Sequence, residues 1–402
     1  MNRNEIRELA AAVEPFVLEV RRHIHAHPEL SFQETETAAF VADRLREMGY
    51  EPVTGVGGLH AVTAKLDGGR PGPTIGLRAD MDALPINELT DLPFKSLNPG
   101  VMHACGHDTH TAMLLGAARA LRQVRDRLAG NVVFLFQPAE EMGPGGALAM
   151  VQAGALAGVD AVFALHIGPS HDAGTMGFMA GVSSANSDGL KITIAGKGGH
   201  AAHPHLSVDA VAVAGYVIVG LQQIVSRQVA PTQSAVITIG AIHGGTKGNI
   251  IAEQVELVGT VRTLDAAVRE SMPHRIETLV KGVCDSFGAS AAVEYRLGYP
   301  SVINDPSMVA LARRAAAIAA GEENVFTNEV SMGGEDFAYM LQAAPGCMGR
   351  LGSSNPATPV DQRYPLHNAR MMVDEAALVN GVAYYVALAL EAGRPESPLV
   401  DR

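Results

Sequence analysis

Residues 101–118 read VMHACGHDTHTAMLLGAA, and His103, Cys105, His107, Asp108 and His110 fall inside eight positions of that run. Cys105 and His107 are two residues apart, too few to share a helical face, where neighbours stand three or four apart. A turn, however, can aim both at one point. A soft thiolate beside a borderline imidazole suits a transition metal and not calcium or magnesium. Taken alone, the pair is better read as a structural cysteine among hydrogen-bonded histidines, because free cysteine is often simply core.

Other donors stand further along. Glu140 and Glu141 follow the apolar run 132–136, His166 follows the apolar run 161–165, and His367 stands in YPLHN. Adjacent residues of an extended segment point opposite ways, so one glutamate can hold a cation while the other faces substrate. Metal-dependent hydrolysis needs that division: a ligand for the cation, and a free carboxylate to take a proton from a water that the cation acidifies. The plainer readings are a solvated loop pair for the glutamates and core histidines for His166 and His367. Together, Cys105, His107, Glu141, His166 and His367 make a two-metal set, with one bridging ligand and two more per ion, the ions about 3.5 to 4 Å apart. Open coordination is what makes such a site catalytic rather than structural.

The elements that must position these groups are legible in pattern. Apolar residues at 6, 9, 13, 17, 20 and 24 recur at three and four, an amphipathic helix that Pro15 is expected to divide. Ser31 and Glu34 have the S-x-x-E form of a capping box ahead of a second helix that stops near Gly49. Apolar runs at 74–77, 132–136 and 161–165 read as buried parallel strands, and each is followed at once by polar residues: Arg78, Asp80 and Asp82, then Glu140 and Glu141, then His166. Helical stretches at 109–124 and 145–153 alternate with them, which predicts a right-handed α/β sheet with ligands bound beyond the carboxyl ends of its strands.

After Ser183 the texture changes to strand-helix-strand-strand-helix-strand, a ferredoxin-like α+β pattern. The expected organisation is therefore α/β: residues 1–184 and 299–402 form a metal-binding catalytic domain with a central, mostly parallel sheet flanked by helices. Residues 185–298 form an inserted ferredoxin-like satellite domain.

At 402 residues the chain exceeds the size at which one core stops growing, and its 47% hydrophobic content supplies two. The net charge is −12 with no long basic cluster, which argues against nucleic acid or an anionic membrane as partner and leaves a small molecule. The N-terminal residues interleave charge with apolar positions, so no secretory signal or membrane span is expected and the chain reads as cytoplasmic. Its three cysteines form no CxxC, consistent with a reducing compartment. The glycine run at 244–248 lacks the G-x-x-x-x-G-K-[ST] phosphate loop, which removes nucleotide binding.

Six motifs, LRADMDALP, MHACGHD, FQPAEE, LHIGP, GKGGHAA and GGEDF, resemble in order the metallopeptidase M20 family, in its amidohydrolase branch of hippurate, N-acyl-amino-acid and auxin-conjugate hydrolases. The resemblance spans nearly the whole chain. It implies two divalent ions, manganese or zinc with cobalt or nickel as further candidates. Cys105 then stands in the bridging position, His107 and Glu141 complete the ions, and His166 and His367 are terminal ligands. Glu140 is implied as general base. Asp82 matches the carboxylate that orients a metal-binding histidine two residues earlier, but this chain has Asp80 there, so His107 supplies the missing imidazole. His200 resembles the histidine that stabilises the oxyanion, in some relatives from a partner subunit, while Asn249 and Arg262 match positions that bind the carboxylate of the amino-acid half. A homo-oligomer is implied as well.

The expected activity is hydrolysis of the amide bond of N-acyl amino acids, with a metallo-carboxypeptidase or dipeptidase acting on short peptides as the alternative. A thiol hydrolase using Cys105 as nucleophile is a rival that chelation separates. A non-catalytic binding protein on the same fold is the third reading, against which the complete ligand set weighs.

Overall fold

The computed structural model describes residues 1–400. The chain forms two compact units, one from Met1–Ser183, Val302–Glu329 and the chain from Asp336 on, the other from Ser184–Ser301 and Val330–Glu335. The divisions fall at 183/184 and 301/302, against the expected 184/185 and 298/299, and the short return of 330–335 to the second unit has no counterpart in the sequence pattern.

The first unit opens with α1 (Arg3–Ala26), α2 (Thr35–Glu47), β1 (Val53–Val56), β2 (Ala61–Asp67) and β3 (Arg70–Asp80). It continues through α3 (His107–Gln123), β4 (Ala129–Gln137), α4 (Gly146–Gln152), β5 (Ala161–Asp172), β6 (Met176–Gly177) and β7 (Gly181–Val182). The second unit holds β8 (Asn186–Ala195), β9 (Gly199–His200), α5 (Ala210–Gln223), β10 (Ala235–Gly244), β11 (Ile250–Ile251), β12 (Gln254–Thr263), α6 (Ala266–Ser286) and β13 (Ser290–Tyr299). The chain then returns as β14 (Ile303–Asn304), α7 (Pro306–Ala319), β15 (Val325–Phe326), α8 (Phe337–Ala343), β16 (Gly346–Ser354) and α9 (Leu378–Ala392).

Eight strands of the first unit make one sheet in the order β1-β2-β4-β3-β5-β16-β6-β15. Its centre, β4-β3-β5-β16, is parallel, while β2 meets β4 and β6 meets β16 antiparallel. Strands buried on both faces need apolar residues at successive positions. In β4 that yields two cores: Val132, Phe134 and Phe136 join the helices α1, α3 and α9, and Leu135 faces α4 and α8 with Val162, Ala164, Phe337 and Met340. Gly116 lets α3 close on its neighbours, since a Cβ there would sit 2.4 Å from Val17 Cγ2. Pro15 does not divide α1, which runs unbroken over 24 residues. The buried stripe Val13, Val17 and Val20 carries the helix through the missing hydrogen bond.

In the second unit the strands run in the order β10-β12-β8-β13, all antiparallel. With α5 and α6 packed on the sheet, this is a ferredoxin-like arrangement. The helical run Ala210–Gln228 is long and apolar enough for a membrane span by composition, yet its Val213, Ala214, Val217, Leu221 and Ile224 belong to the core of this unit.

Candidate metal centre

Parallel strands deliver their last residues to one edge of a sheet. Asp80 ends β3 in register with Gln137 at the end of β4, and His166 of β5 pairs with Arg350 of β16. Cys105 reaches the same edge from the turn ahead of α3, and His107 from the first residue of that helix. Gly106 between them has φ 83°, the left-handed region, and a Cβ there would lie 2.3 Å from Ile167 Cδ1. Only glycine fits that turn without strain.

The five expected ligands converge. Cys105, His107 and His166 offer donor atoms within 4.8 Å of one another, as do Cys105, Glu141 and His367, so Cys105 is shared between two sets. Cys105 Sγ lies 3.5 Å from His166 Nε2. Glu141 Oε1 lies 3.1 Å from His367 Nε2 and 3.9 Å from His107 Nε2. Neither approach aligns as a hydrogen bond: His107 Nε2 and Glu141 Oε1 are buried without a partner among the described residues. Orphaned donors of this kind are costly unless something else fills the space. Thiol, imidazole and carboxylate together are transition-metal donors, so the residues fit a pair of divalent metal ions.

Neighbouring groups set which nitrogen each histidine presents. His107 Nδ1 donates to Asp82, 2.9 Å from its carbonyl oxygen and 3.1 Å from Oδ1, leaving the Nε2 lone pair for a cation. His166 Nδ1 donates to the Ile167 carbonyl at 2.7 Å, with the same effect. Burial, then His110 and Arg350, hold His166 well below its usual value, which keeps it neutral. Burial pushes the Cys105 thiol up. Cys105 and then Glu141 raise His367 to about 10. His367 is half-exposed with φ 64°, and its amide donates to the Ala104 carbonyl at 2.8 Å, which ties its loop to the cysteine segment.

The glutamate pair is not extended. β4 ends at Gln137, Ala139 has φ 55°, and Glu140 and Glu141 lie in a bend. Their carboxylates therefore do not diverge as alternating strand residues would: both offer oxygens within 4.8 Å of His107 and of each other.

A buried layer stands behind the donors, built from residues to which the sequence pattern assigns no role. His110 Nδ1 donates to Asp80 Oδ1 at 2.6 Å, and its Nε2 accepts the Ile167 amide at 2.9 Å, next to His166. Burial opposes ionisation of Asp80, but Arg78, His107 and His110 outweigh it and hold the carboxyl well below the usual range. Arg78 is fixed in turn by Gln137 and Asp336. The signal was present in the spacing: His110 is three residues after His107, hence on the same helical face. His103 joins no donor set; it is buried with both ring nitrogens unpartnered.

The remaining expected residues lie in the second unit. His200 is exposed on β9, paired with Ile250, and its Nδ1 accepts the Ala202 amide at 3.1 Å, which leaves the proton of a neutral ring on Nε2. Asn249 sits beside it, its carbonyl accepting the Ala201 amide at 3.2 Å. Arg262 is near the other end of β12, paired with Ser187, with Nη1 buried and without a partner.

Fold and donor set together define a metal-binding hydrolase. Residues 76–391 match the peptidase family M20/M25/M40, and the chain belongs to that family. It is similar to the N-acyl-L-amino acid amidohydrolase of Geobacillus stearothermophilus, 46% identical over 304 residues that cover 76% of this chain and 82% of the relative. It is also similar to thermostable carboxypeptidase 1 of Saccharolobus solfataricus, 40% identical over 391 residues, 97% of each chain. A solved Bacillus subtilis structure, described as a dinuclear metal binding peptidase from the M20 family, matches with a TM-score of 0.81 at 37% identity, covering 94% of this chain and 98% of that one.

Proposed function

We propose that the protein hydrolyses the amide bond of N-acyl amino acids, with Glu140 as general base beside two manganese or zinc ions held by Cys105, His107, Glu141, His166 and His367. The observation that carries this reading is the meeting of Glu140, Glu141 and His107 within 4.8 Å, a proton acceptor set directly against the metal ligands. When bound, the ions supply Lewis acidity that polarises the acyl carbonyl and lowers the pKa of water.

Glu140 takes the proton of the attacking water as its oxygen bonds to the acyl carbon. The carbon–nitrogen bond then breaks and Glu140 returns the proton to the departing amine, giving a carboxylic acid and a free amino acid. His200, with its proton on Nε2, is suited to donate to the oxyanion, a contact worth about 3 kcal/mol in comparable settings. Arg262 suits the substrate carboxylate, for which a guanidinium fork is the natural partner, and Asn249, which stands beside His200 at the other end of the sheet, would join it only from a second copy of the chain. A cavity of about 330 Å³ lined by Gly168, Pro169, Tyr364 and Leu366, near His166 and His367 in sequence, and by Arg350, the ladder partner of His166, offers room for a substrate side group.

Similarity to a carboxypeptidase over 97% of the chain favours short peptides as the second reading. A homo-oligomer fits the outer face of α5, which exposes Val211, Tyr216 and Val219 and carries no charge. A cytoplasmic setting fits the three unpaired cysteines, since Cys105 must stay reduced to bind metal.

The test is Glu140→Gln assayed on acetyl-, benzoyl- and indoleacetyl-amino acids and on dipeptides. It is expected to keep fold and metal while losing turnover by about 10³-fold or more. Near-normal kcat would remove the base assignment, and turnover of dipeptides alone would select the peptidase reading.

A further inference from the structure

The S-x-x-E segment at 31–34 does not cap α2, which begins at Thr35: the first-turn amides of Glu36 and Thr37 donate to the Glu29 carboxylate instead, at 3.1 and 2.8 Å. Ser31 Oγ donates instead to Asp82 Oδ2 at 2.6 Å. Glu34 Oε1 accepts the amide of Ala139 at 2.7 Å and that of Phe32 at 3.0 Å. Glu34 is fully buried, and its Oε2 has no partner. A carboxyl group is seldom buried without a task, because leaving water is costly.

Both amides it accepts belong to left-handed residues, φ 67° at Phe32 and 55° at Ala139. Residues with a Cβ rarely adopt that region and hold it only where the surroundings over-determine it. Ala139 immediately precedes Glu140, so its backbone angles set the direction in which Glu140 leaves the end of β4. The turn is held on its other side too: the Ala139 carbonyl accepts the Gly146 amide at 3.1 Å, at the start of α4. No other side chain bonds the Ala139 amide among the described residues.

We infer that Glu34 is a positioning residue for the general base: its carboxyl oxygen clamps the Ala139 amide and so fixes the left-handed turn that aims Glu140. The inference rests on the proposed role of Glu140. Glu34 acts through the backbone, and a displacement of about 1 Å at a reacting group can cost about 10²-fold in rate.

The experiment compares Glu34→Ala, Glu34→Asp and Glu34→Gln with the wild type for kcat, KM, metal content and hydrogen exchange of the peptide spanning 138–142. The alanine and aspartate variants are expected to lose about 30-fold or more in kcat, with KM changed by less than about threefold. Their metal content stays at the wild-type level, and the 138–142 peptide exchanges faster. Glutamine presents an oxygen to the same two amides, so Glu34→Gln is expected within about threefold of wild type. Aspartate keeps the charge but falls one methylene short, so it carries the test should the alanine variant not fold. Wild-type kcat in Glu34→Asp, a glutamine variant as impaired as the aspartate one, or unchanged exchange at 138–142 would each overturn the clamp. Failure of the base assignment reads differently: Glu140→Gln stays active while the exchange difference in Glu34→Asp persists.

Discussion

Asp82 Oδ1 lies 3.1 Å from His107 Nδ1, while Oδ2 of the same carboxylate takes the Glu141 amide at 3.0 Å. One buried side chain thus sets the tautomer of one metal-ligand candidate and the backbone position of another. Asp82→Ala is expected to lower metal affinity by about 10- to 100-fold, the usual cost of losing a group that orients a ligand. Competition against a chelator of known affinity measures it. Wild-type affinity in a folded Asp82→Ala protein would show that His107 and Glu141 are positioned by something else.

The convergence of the candidate ligands was legible in the sequence because several of them follow apolar strand runs, and in an α/β sheet such positions share one edge. Cys105 and His166, 61 residues apart, meet at 3.5 Å because the turn ahead of α3 carries the cysteine to the level of the sheet where His166 stands within β5. Ser31 and Glu34 mislead because a capping box has the same local pattern as a donor to Asp82 and an acceptor from Ala139. Only the contact between Glu34 and Ala139, 105 residues further on, separates the two. The glutamate bend failed for a related reason: the left-handed φ of Ala139 has no signature in residue type, where a glycine would have announced it. Pro15 was read as a break because local propensity says so, whereas packing of α1 on α3 and α9 decides the outcome.

Removing metal separates hydrolysis through cations from a thiol nucleophile. Dialysis against a strong chelator is expected to abolish activity, and manganese, zinc or cobalt to restore it. Thermal stability should fall in the stripped protein, because ions that bind only the folded chain stabilise it. Activity that survives verified metal loss would revive Cys105 as a nucleophile.

His25 gives the stability a defined pH dependence away from the metal ligands. Its ring lies between Asp108, 2.9 Å from Nδ1, and Glu88, 3.2 Å from Nε2; Arg21 also bonds Asp108, and His103 packs nearby. Burial opposes charge on His25, but Asp108 and Glu88 outweigh it and raise its pKa from 6.5 to about 9. A histidine whose folded value is raised stabilises fully below its unfolded value and loses that contribution as pH rises through the folded one. Stability should therefore decline between about pH 6.5 and 9, by roughly 3 kcal/mol at 1.36 kcal/mol per unit. Urea midpoints across that range measure it, and His25→Gln should flatten the slope. A wild-type curve flat from pH 6.5 to 9 would contradict the charged network.

The second unit places His200 and Arg262 too far apart to serve one substrate from one chain. Ala195 pairs with Gln254 and Ser187 with Arg262 in the same antiparallel ladder, so the two ends of that sheet are eight residues apart, about 26 Å along the strand. His200 and Asn249 stand beyond the Gln254 end, where the Gly196 amide meets the Glu253 carbonyl. An N-acyl amino acid is far shorter than that span. If both residues contact one substrate, one of them comes from a second copy of the chain. His200→Ala and Arg262→Ala should each lose activity by about 10²-fold or more, yet regain part of it when co-expressed. In a dimer formed at random, half the assemblies are mixed and each keeps one intact site of two, so recovery should approach about a quarter of wild-type activity. Activity in the mixed preparation no higher than in either variant alone would place both residues in service of their own chain, or remove one of them from the site.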